Sequence, residues 1–167
     1  TVGGIGCDCG PGCIVVPDQI IDYTHGRKGT YFEGPDQPVT HIDFTEPYDP
    51  ALRARLLGAA ARAGESVIDH GVYGCSQGPR LETAAEIRRM ARDGCDLVGM
   101  TGMPEAALAR ELELPYAALC VVANHAAGIG ESAQRISLEA ITEVLDQAMA
   151  RVRRILSEAI RGESATG

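Results

Sequence analysis

Short apolar, β-branched segments alternate with amphipathic helical segments along the chain, and this alternation constrains the fold more than any other feature. Strand-like segments are predicted at 13–24, 66–77, 96–101 and 115–124, of which 66–77 is either a strand pair or one bent strand. Helical segments are predicted at 49–64, 83–93, 103–113 and 137–160. Strands that alternate with helices are typical of α/β proteins with a parallel or mixed sheet. We therefore predict a single α/β domain over residues 1–167, with a mixed, largely parallel twisted sheet flanked by helices.

The predicted helices begin at residues that favour helix starts. Asp49 and Ser137 are expected to be N-caps, because their side-chain oxygens can accept from the free N–H groups of a first turn. Thr83 and Glu86 have the spacing of a capping box, in which each side chain satisfies a backbone N–H of the other residue's turn. Pro104 suits the first turn of the third helix.

Two segments depart from the regular alternation. Pro17 interrupts the β-branched run at 13–24, which indicates an edge strand or a bent strand. Residues 24–48 are rich in glycine, proline, histidine and aspartate and show little periodicity. A segment of this kind is typical of a long functional loop.

Composition excludes several classes of partner. The net charge of −8 argues against nucleic acid, because binding a phosphate backbone requires a basic surface. The longest apolar run, 116–123, is far shorter than a membrane span, so we expect no membrane partner and a cytoplasmic protein. Cys7, Cys9 and Cys13 lack a matching second pair of metal ligands. We therefore predict no metal site and reduced, mostly buried thiols.

Glu82 is a candidate functional residue because the helix predicted at 83–93 is capped without it. Thr83 and Glu86 already supply the capping interactions, so the Glu82 carboxylate is not required for the helix start. The alternative is a weak favourable interaction with the helix N-terminus, worth about 0.3 kcal/mol.

Other candidates follow predicted strands. Met100 and Thr101 stand at the carboxyl end of the strand at 96–101, where ligands of α/β proteins bind, although Thr101 could be an ordinary turn residue. Asn124 ends a buried strand, and its amide must pair with the local loop or with a ligand. Gly3 and Gly4 follow a presumed strand and would let a ligand approach the backbone, although two glycines after a strand often form only a turn.

Four segments together resemble the nucleoside phosphorylases that act on purine nucleosides and 5′-methylthio-purine nucleosides. They are "VVPDQIIDYTHGR", "THIDFTEPYD", "GPRLETAAEIRRMARDGCDLVGMTGMPEAALARELELPYA" and "VVAN". The resemblance implies a homotrimeric α/β enzyme of purine salvage, a pentosyltransferase that needs no metal or organic cofactor. Inorganic phosphate would be the co-substrate that cleaves the N-glycosidic bond and leaves free purine and a sugar 1-phosphate.

The resemblance also assigns site residues. Glu82 and Asn124 would recognise the base, with Asn124 the catalytic residue, Met100 would lie under the ribose, and Thr101 would contact phosphate. Thr1, Val2 and Gly3 would line phosphate and base, with Thr1 on the phosphate, and Leu81 would lie against the base. Leu138 and Ile141 would surround the 5′ group, and His125 and Ala126 would belong to the substrate site. His41 would reach the site of a neighbouring subunit.

The pair Glu82 and Asn124 implies a preference among purines. A 6-oxopurine carries a donor, N1–H, which a carboxylate can accept, whereas N1 of a 6-aminopurine is an acceptor that a carboxylate repels. An Asn124 amide can donate to N7 or O6 as negative charge builds on the departing base. Relatives that use adenine-type bases have aspartate at the Asn124 position, so the resemblance implies a 6-oxopurine substrate.

Three functional hypotheses remain open on the sequence alone. The first is phosphorolysis of S-methyl-5′-thioinosine to hypoxanthine and 5-methylthioribose 1-phosphate, and the second is a general inosine/guanosine phosphorylase. The family's glycine-rich phosphate loop and its Arg-His pair would precede Thr1, so we expect a partial, N-terminally incomplete domain. The third hypothesis is accordingly a non-catalytic fragment.

Overall fold

A computed structural model describes residues 1–134, 136 and 138–162, without the side chains of Leu138 and Ala140. The strands are β1 (Val2–Gly4), β2 (Ile14–Val15), β3 (Gln19–Asp22), β4 (Val72–Cys75), β5 (Leu97–Gly99) and β6 (Cys120–His125). The helices are α1 (Pro50–Arg62), α2 (Ala84–Arg92), α3 (Gly102–Glu111) and α4 (Leu138–Arg161), with a 3₁₀ turn at Gly130–Ser132. Residues 24–48 form no helix or strand, as predicted.

The predicted helix starts are confirmed where the structure describes them. Asp49 Oδ1 accepts from Leu52 N at 2.6 Å at the start of α1. Both halves of the capping box are present in α2. In α3 the backbone of Met103 is extended, with φ −120° and ψ 140°, so regular helix begins only after that residue. Ser137, the predicted cap of α4, lies outside the described residues.

The six strands form one mixed sheet in the order β2-β6-β1-β5-β4-β3. The pairs β1–β6, β3–β4 and β4–β5 are parallel, and the pairs β2–β6 and β1–β5 are antiparallel. A mixed, largely parallel sheet is therefore confirmed. The strands near β1 are buried and nearly all apolar, as expected when both faces of a sheet are covered.

The sheet must curl, because β2 and β3 lie at opposite ends of this order and only three residues separate them. Six flat strands would place them about 24 Å apart. The link from Val15 to Gln19 can span at most about 14 Å. The chain bends at Pro17, and Val15 also forms a bridge with Ile68, just before β4. The predicted bent strand is thus observed, and it joins the two ends of the sheet.

Two predicted strands are shorter than the sequence pattern indicates. The segment at 66–77 contributes only β4 as a strand, because Gly71, with φ 142°, interrupts the extended backbone. The segment at 115–124 becomes β6 only from Cys120, where pairing with β2 begins. Apolar composition identified both segments, but pairing partners decide where each strand starts.

The helices cover the sheet through apolar contacts. Leu56 of α1 and Val152 and Ile155 of α4 pack in one core cluster with Val121 of β6. Burying each of these side chains stabilises the fold by about 1.5–3 kcal/mol. Four of the six free cysteines are buried, as predicted; Cys13 is half-buried and Cys7 exposed. Among the described residues, no helix is both long enough and apolar enough to cross a bilayer.

Candidate active site

A pocket of about 300 Å³ lies where β5, β6 and the start of β1 meet the N-terminal ends of α2 and α4. We call it the small pocket. Ten predicted site residues line it: Thr1, Val2, Gly3, Leu81, Glu82, Met100, Thr101, Asn124, Ala126 and Ile141. Its other lining residues, which were not predicted from the sequence, are Val98, Gly99, Ala123 and Ile136. Residues from five separate segments therefore converge on one concave surface, while their individual roles stay predictions.

Three predicted site residues are not placed in this pocket. His125 follows Asn124 in β6, and successive side chains of a strand point to opposite faces. Its ring packs at Gly130, where an added Cβ would lie 2.8 Å from His125 Cδ2. His41 is exposed in the loop at 24–48. The side chain of Leu138 lies outside the described part of the structure.

The close approach of β1 to its neighbours depends on Gly3. This residue pairs with Val98 of β5 on one side and with Asn124 of β6 on the other. A Cβ at Gly3 would lie 3.1 Å from Val98 Cγ1 and 3.4 Å from the Cα of Ala126. A side chain at this position would require the Val98 side chain to shift, so glycine suits the close pairing of β1 with β5 and β6.

Glu82 is free of helix capping, as the sequence analysis predicted. The capping hydrogen bonds are made by Thr83 and Glu86, and the Arg80 guanidinium binds both oxygens of Glu86, at 2.9 and 2.7 Å. The Glu82 carboxylate instead accepts from the hydroxyl of Ser76, with 2.5 Å between Oγ and Oε1. Ser76 was not predicted; its position just after β4, at the carboxyl end of a strand, was the available signal.

The Asn124 amide is oriented by the backbone that follows it. Its Nδ2 donates to the carbonyl oxygen of His125 at 2.6 Å. An amide nitrogen carries two protons and the amide oxygen accepts, so one donor and one acceptor remain for a ligand. The residue is half-buried and lines the small pocket.

Arg27 holds the strand ends that carry Met100. Its guanidinium donates to the carbonyl oxygens of Met100 and Gln77, both at 2.8 Å, and of Ser76 at 3.3 Å. A further hydrogen bond reaches the carbonyl oxygen of Met103. The side chain therefore fastens the loop at 24–48 to the ends of β4 and β5. The sequence showed no signal for this role, because the acceptors are backbone atoms 49–76 positions away.

The floor of the pocket at Gly99 rests on Tyr73. A Cβ at Gly99 would lie 2.1 Å from the Tyr73 hydroxyl oxygen. Burial raises the pKa of Tyr73, so the phenol stays protonated at neutral pH. The Thr101 backbone N–H approaches the same oxygen at 3.4 Å. Thr101 is also the N-cap of α3, but its side chain makes no capping hydrogen bond.

A larger cavity of about 630 Å³ lies on the other side of Glu82, and we call it the large pocket. Its cations Arg80 and Arg89 already have carboxylate partners, Glu86 at 2.7 Å and Asp93 at 3.7 Å. We favour the small pocket as the active site, because it combines a carboxylate, an amide and a hydroxyl with apolar walls. Within the described residues, no three His, Cys, Asp or Glu side chains converge as a metal site requires.

Fold and pocket together define an α/β protein whose concave site at the strand ends combines a few polar groups with apolar walls, and comparison with known proteins agrees. The chain belongs to the phosphorylase superfamily, whose model matches residues 1–161. It is 53% identical over 160 residues to a probable S-methyl-5′-thioinosine phosphorylase of Pseudomonas syringae pv. tomato, covering 96% of this chain and 64% of that protein. It is 42% identical to a 6-oxopurine nucleoside phosphorylase of Pyrococcus furiosus, covering 96% and 62%.

A solved structure shares the fold. Methylthioadenosine phosphorylase from Schistosoma mansoni in complex with adenine superposes with a TM-score of 0.91 at 29% identity. The match covers 99% of this chain and 64% of that one. The chain thus spans less than two thirds of the length of each of these relatives.

Proposed function

We propose that the complete protein catalyses the phosphorolysis of S-methyl-5′-thioinosine to hypoxanthine and 5-methylthioribose 1-phosphate, a reaction of purine salvage. The observation that carries this proposal is the convergence of Glu82 and Asn124 with Met100 and Thr101 in the small pocket. Inorganic phosphate is the co-substrate, and the proposal includes no metal and no organic cofactor. The names of the bacterial relatives support the same reaction.

The chemistry requires three bodies to be held together. The sugar gains positive charge at C1′ while the purine leaves with negative charge, and phosphate attacks the anomeric carbon. Glu82 would accept from N1–H of the base, and the free N–H of Asn124 would stabilise charge on the departing purine. The Thr101 hydroxyl would contact phosphate.

The 5′ group would meet an apolar wall. Ile141 and Ile136 line the small pocket on the side of α4. Burying a methylthio group against aliphatic side chains removes one to two CH₂ equivalents from water, about 1–2 kcal/mol. A 5′-hydroxyl in the same place would lose water without a partner, which widens the preference by about 1–3 kcal/mol.

The proposal extends to assembly and location. We place the protein in the cytoplasm as a homotrimer in which His41 reaches the neighbouring subunit's site. What supports the assembly is the position of His41, exposed and away from the small pocket of its own chain. A histidine that is absent from its own site could complete a site only in another copy.

The test is a comparison of substrates with the protein expressed from its complete gene. We expect phosphate-dependent release of hypoxanthine from methylthioinosine, with a kcat/KM at least about tenfold above that for inosine. Ile141→Ser should narrow this preference by weakening the apolar wall. A reaction without phosphate is the control, and absence of hypoxanthine release from either nucleoside would refute the proposal.

A general 6-oxopurine nucleoside phosphorylase is the second candidate. The relative from Pyrococcus furiosus carries that name at 42% identity, and base recognition by Glu82 and Asn124 would be identical. The two candidates differ only at the 5′ group. Equal kcat/KM values for inosine and methylthioinosine in the wild type would favour this second function.

A further inference from the structure

Ser76 is a buried polar residue that does not line the small pocket. It follows β4, is 7% exposed, and continues the sheet through its backbone N–H, which donates to the carbonyl oxygen of Gly99 at 2.7 Å. Its side chain faces the large pocket and does not line the small one. A buried hydroxyl in such a place needs a partner, and the partner it has is the Glu82 carboxylate.

The single proton of this hydroxyl has two acceptors within reach. Glu82 Oε1 lies at 2.5 Å and the Gly99 carbonyl oxygen at 3.3 Å. The shorter distance favours Glu82 as the acceptor, and hydrogen bonds to a carboxylate are about twice as strong as those between neutral groups. The proton therefore belongs to the bond with Glu82.

This bond uses one oxygen of the Glu82 carboxylate and leaves the other without a partner among the described residues. Glu82 lines both pockets, and Oε1 is occupied by Ser76. No hydrogen bond from residues 1–134, 136 or 138–162 reaches Oε2. The nearby Arg80 does not hold Glu82 either, since both of its terminal nitrogens bind Glu86. Ser76 is thus the only direct hydrogen-bond partner of this carboxylate among the described residues.

We propose that Ser76 is a positioning residue for base specificity, which fixes Glu82 by one oxygen so that the other accepts N1–H of a 6-oxopurine. This inference rests on the proposed function. A carboxylate held at one oxygen keeps an ionised acceptor in place, which suits a base with a donor at N1 and repels a base with an acceptor there. Without the hydroxyl, Glu82 rotates freely and discriminates less.

The experiment measures kcat/KM for methylthioinosine and methylthioadenosine with variants of the protein expressed from its complete gene. Ser76→Ala should lower the ratio of the two values by roughly 10- to 100-fold, the range expected for loss of a hydrogen bond to a charged group. Ser76→Thr keeps the hydroxyl and should keep the ratio. Tyr116→Phe is the matched control, because it removes a hydroxyl that donates to Glu105 at 2.9 Å, outside the small pocket.

A double-mutant cycle separates positioning from a general effect on folding. If Ser76 acts through the carboxylate, Ser76→Ala should change the ratio little once Glu82→Gln is present. Ser76→Cys, with a weak donor of similar size, covers the case in which the alanine variant does not fold, and it should also lower the ratio. Thermal unfolding of each variant checks its fold.

Failure of the proposed function can be distinguished from failure of this inference alone. A wild-type protein that cleaves neither nucleoside would overturn the proposed function, and this inference with it. An active wild type whose folded Ser76→Ala or Ser76→Cys variant keeps the substrate ratio would overturn the inference alone. Additive effects of Ser76→Ala and Glu82→Gln would do the same.

Discussion

The Asn124 side chain is held in place by the backbone that follows it. One amide proton is used in the 2.6 Å bond to the His125 carbonyl oxygen, which sets the plane of the group. The remaining donor and the oxygen are available to a purine. Replacing the amide by a carboxylate would change the free donor into an acceptor without changing the shape of the side chain.

We therefore predict that Asn124→Asp raises activity on 6-amino nucleosides relative to 6-oxo nucleosides. The expected shift corresponds to one hydrogen-bond mismatch, about 1–3 kcal/mol in the ratio of kcat/KM values. Steady-state rates for methylthioadenosine and methylthioinosine measure it, with the wild type assayed in parallel. An unchanged ratio would show that Asn124 does not read the base.

At the residue scale, the sequence identified groups that chemistry makes conspicuous and missed those that support them. Glu82, Thr101 and Asn124 could be found because each stands beside a recognisable helix start or strand end. Arg27 could not, because its importance lies in hydrogen bonds to backbone atoms that only the folded chain brings near. Ser76 was missed although it stands at the end of a strand. The alternation of side chains along β6 turns His125 away from Asn124 and from the small pocket, and its role in the site stays a prediction.

Helix α2 begins with a closely coupled set of charges, and its first turn should respond to acid. Hydrogen bonds from the Arg80 guanidinium, and next from the Thr83 backbone N–H, hold the pKa of Glu86 at about 2, below its ordinary value of 4.5. The folded state therefore binds this proton less readily than the unfolded state. The resulting stabilisation is complete above about pH 4.5 and is lost as the pH falls towards 2.

Glu86→Gln should consequently flatten the dependence of unfolding free energy on pH between 4.5 and 2. Urea denaturation at a series of pH values measures the slope, and Glu131→Gln, which removes an exposed carboxylate elsewhere, is the control. If unfolding free energy varies equally with pH in Glu86→Gln and in the wild type, the interaction of Arg80 with Glu86 does not contribute to stability.

Arg27 joins three elements, and its removal should loosen all of them. Arg27→Met leaves the carbonyl oxygens of Met100, Gln77 and Ser76 without this donor. We expect a loss of about 3 kcal/mol in unfolding free energy, together with a lower kcat/KM. Urea denaturation and steady-state kinetics test this, with Arg88→Met on the exposed surface of α2 as the control. A variant as stable and as active as wild type would contradict it.

At the scale of secondary-structure elements, the sequence predicted more of the structure than at the other scales. All four helices were predicted, because caps and helical periodicity are local signals. Strand limits were less accurate, because β4 and β6 begin where a neighbour pairs with them and not where the apolar run begins. The curl of the sheet could not be predicted, since it depends on which distant strands flank β2 and β3.

For the whole molecule, the proposed trimer predicts that two defective proteins can restore each other. His41→Ala subunits keep Asn124, and subunits with Asn124→Ala keep His41, so mixed trimers would contain sites with both residues intact. Mixing the two variants after unfolding and refolding should restore part of the activity on methylthioinosine. Each variant refolded alone is the control, and no gain in the mixture would exclude sharing of sites between subunits.

The pairing of β1 with β6 has a consequence for how the protein is made. Val2 pairs with Val122, more than a hundred residues later in the chain. At ordinary rates of translation, the ribosome needs on the order of 10 s to reach that partner. The glycine-rich strand β1, which forms one wall of the small pocket, therefore stays unpaired during most of this synthesis. We expect that interval to be the period in which the nascent chain depends most on chaperones.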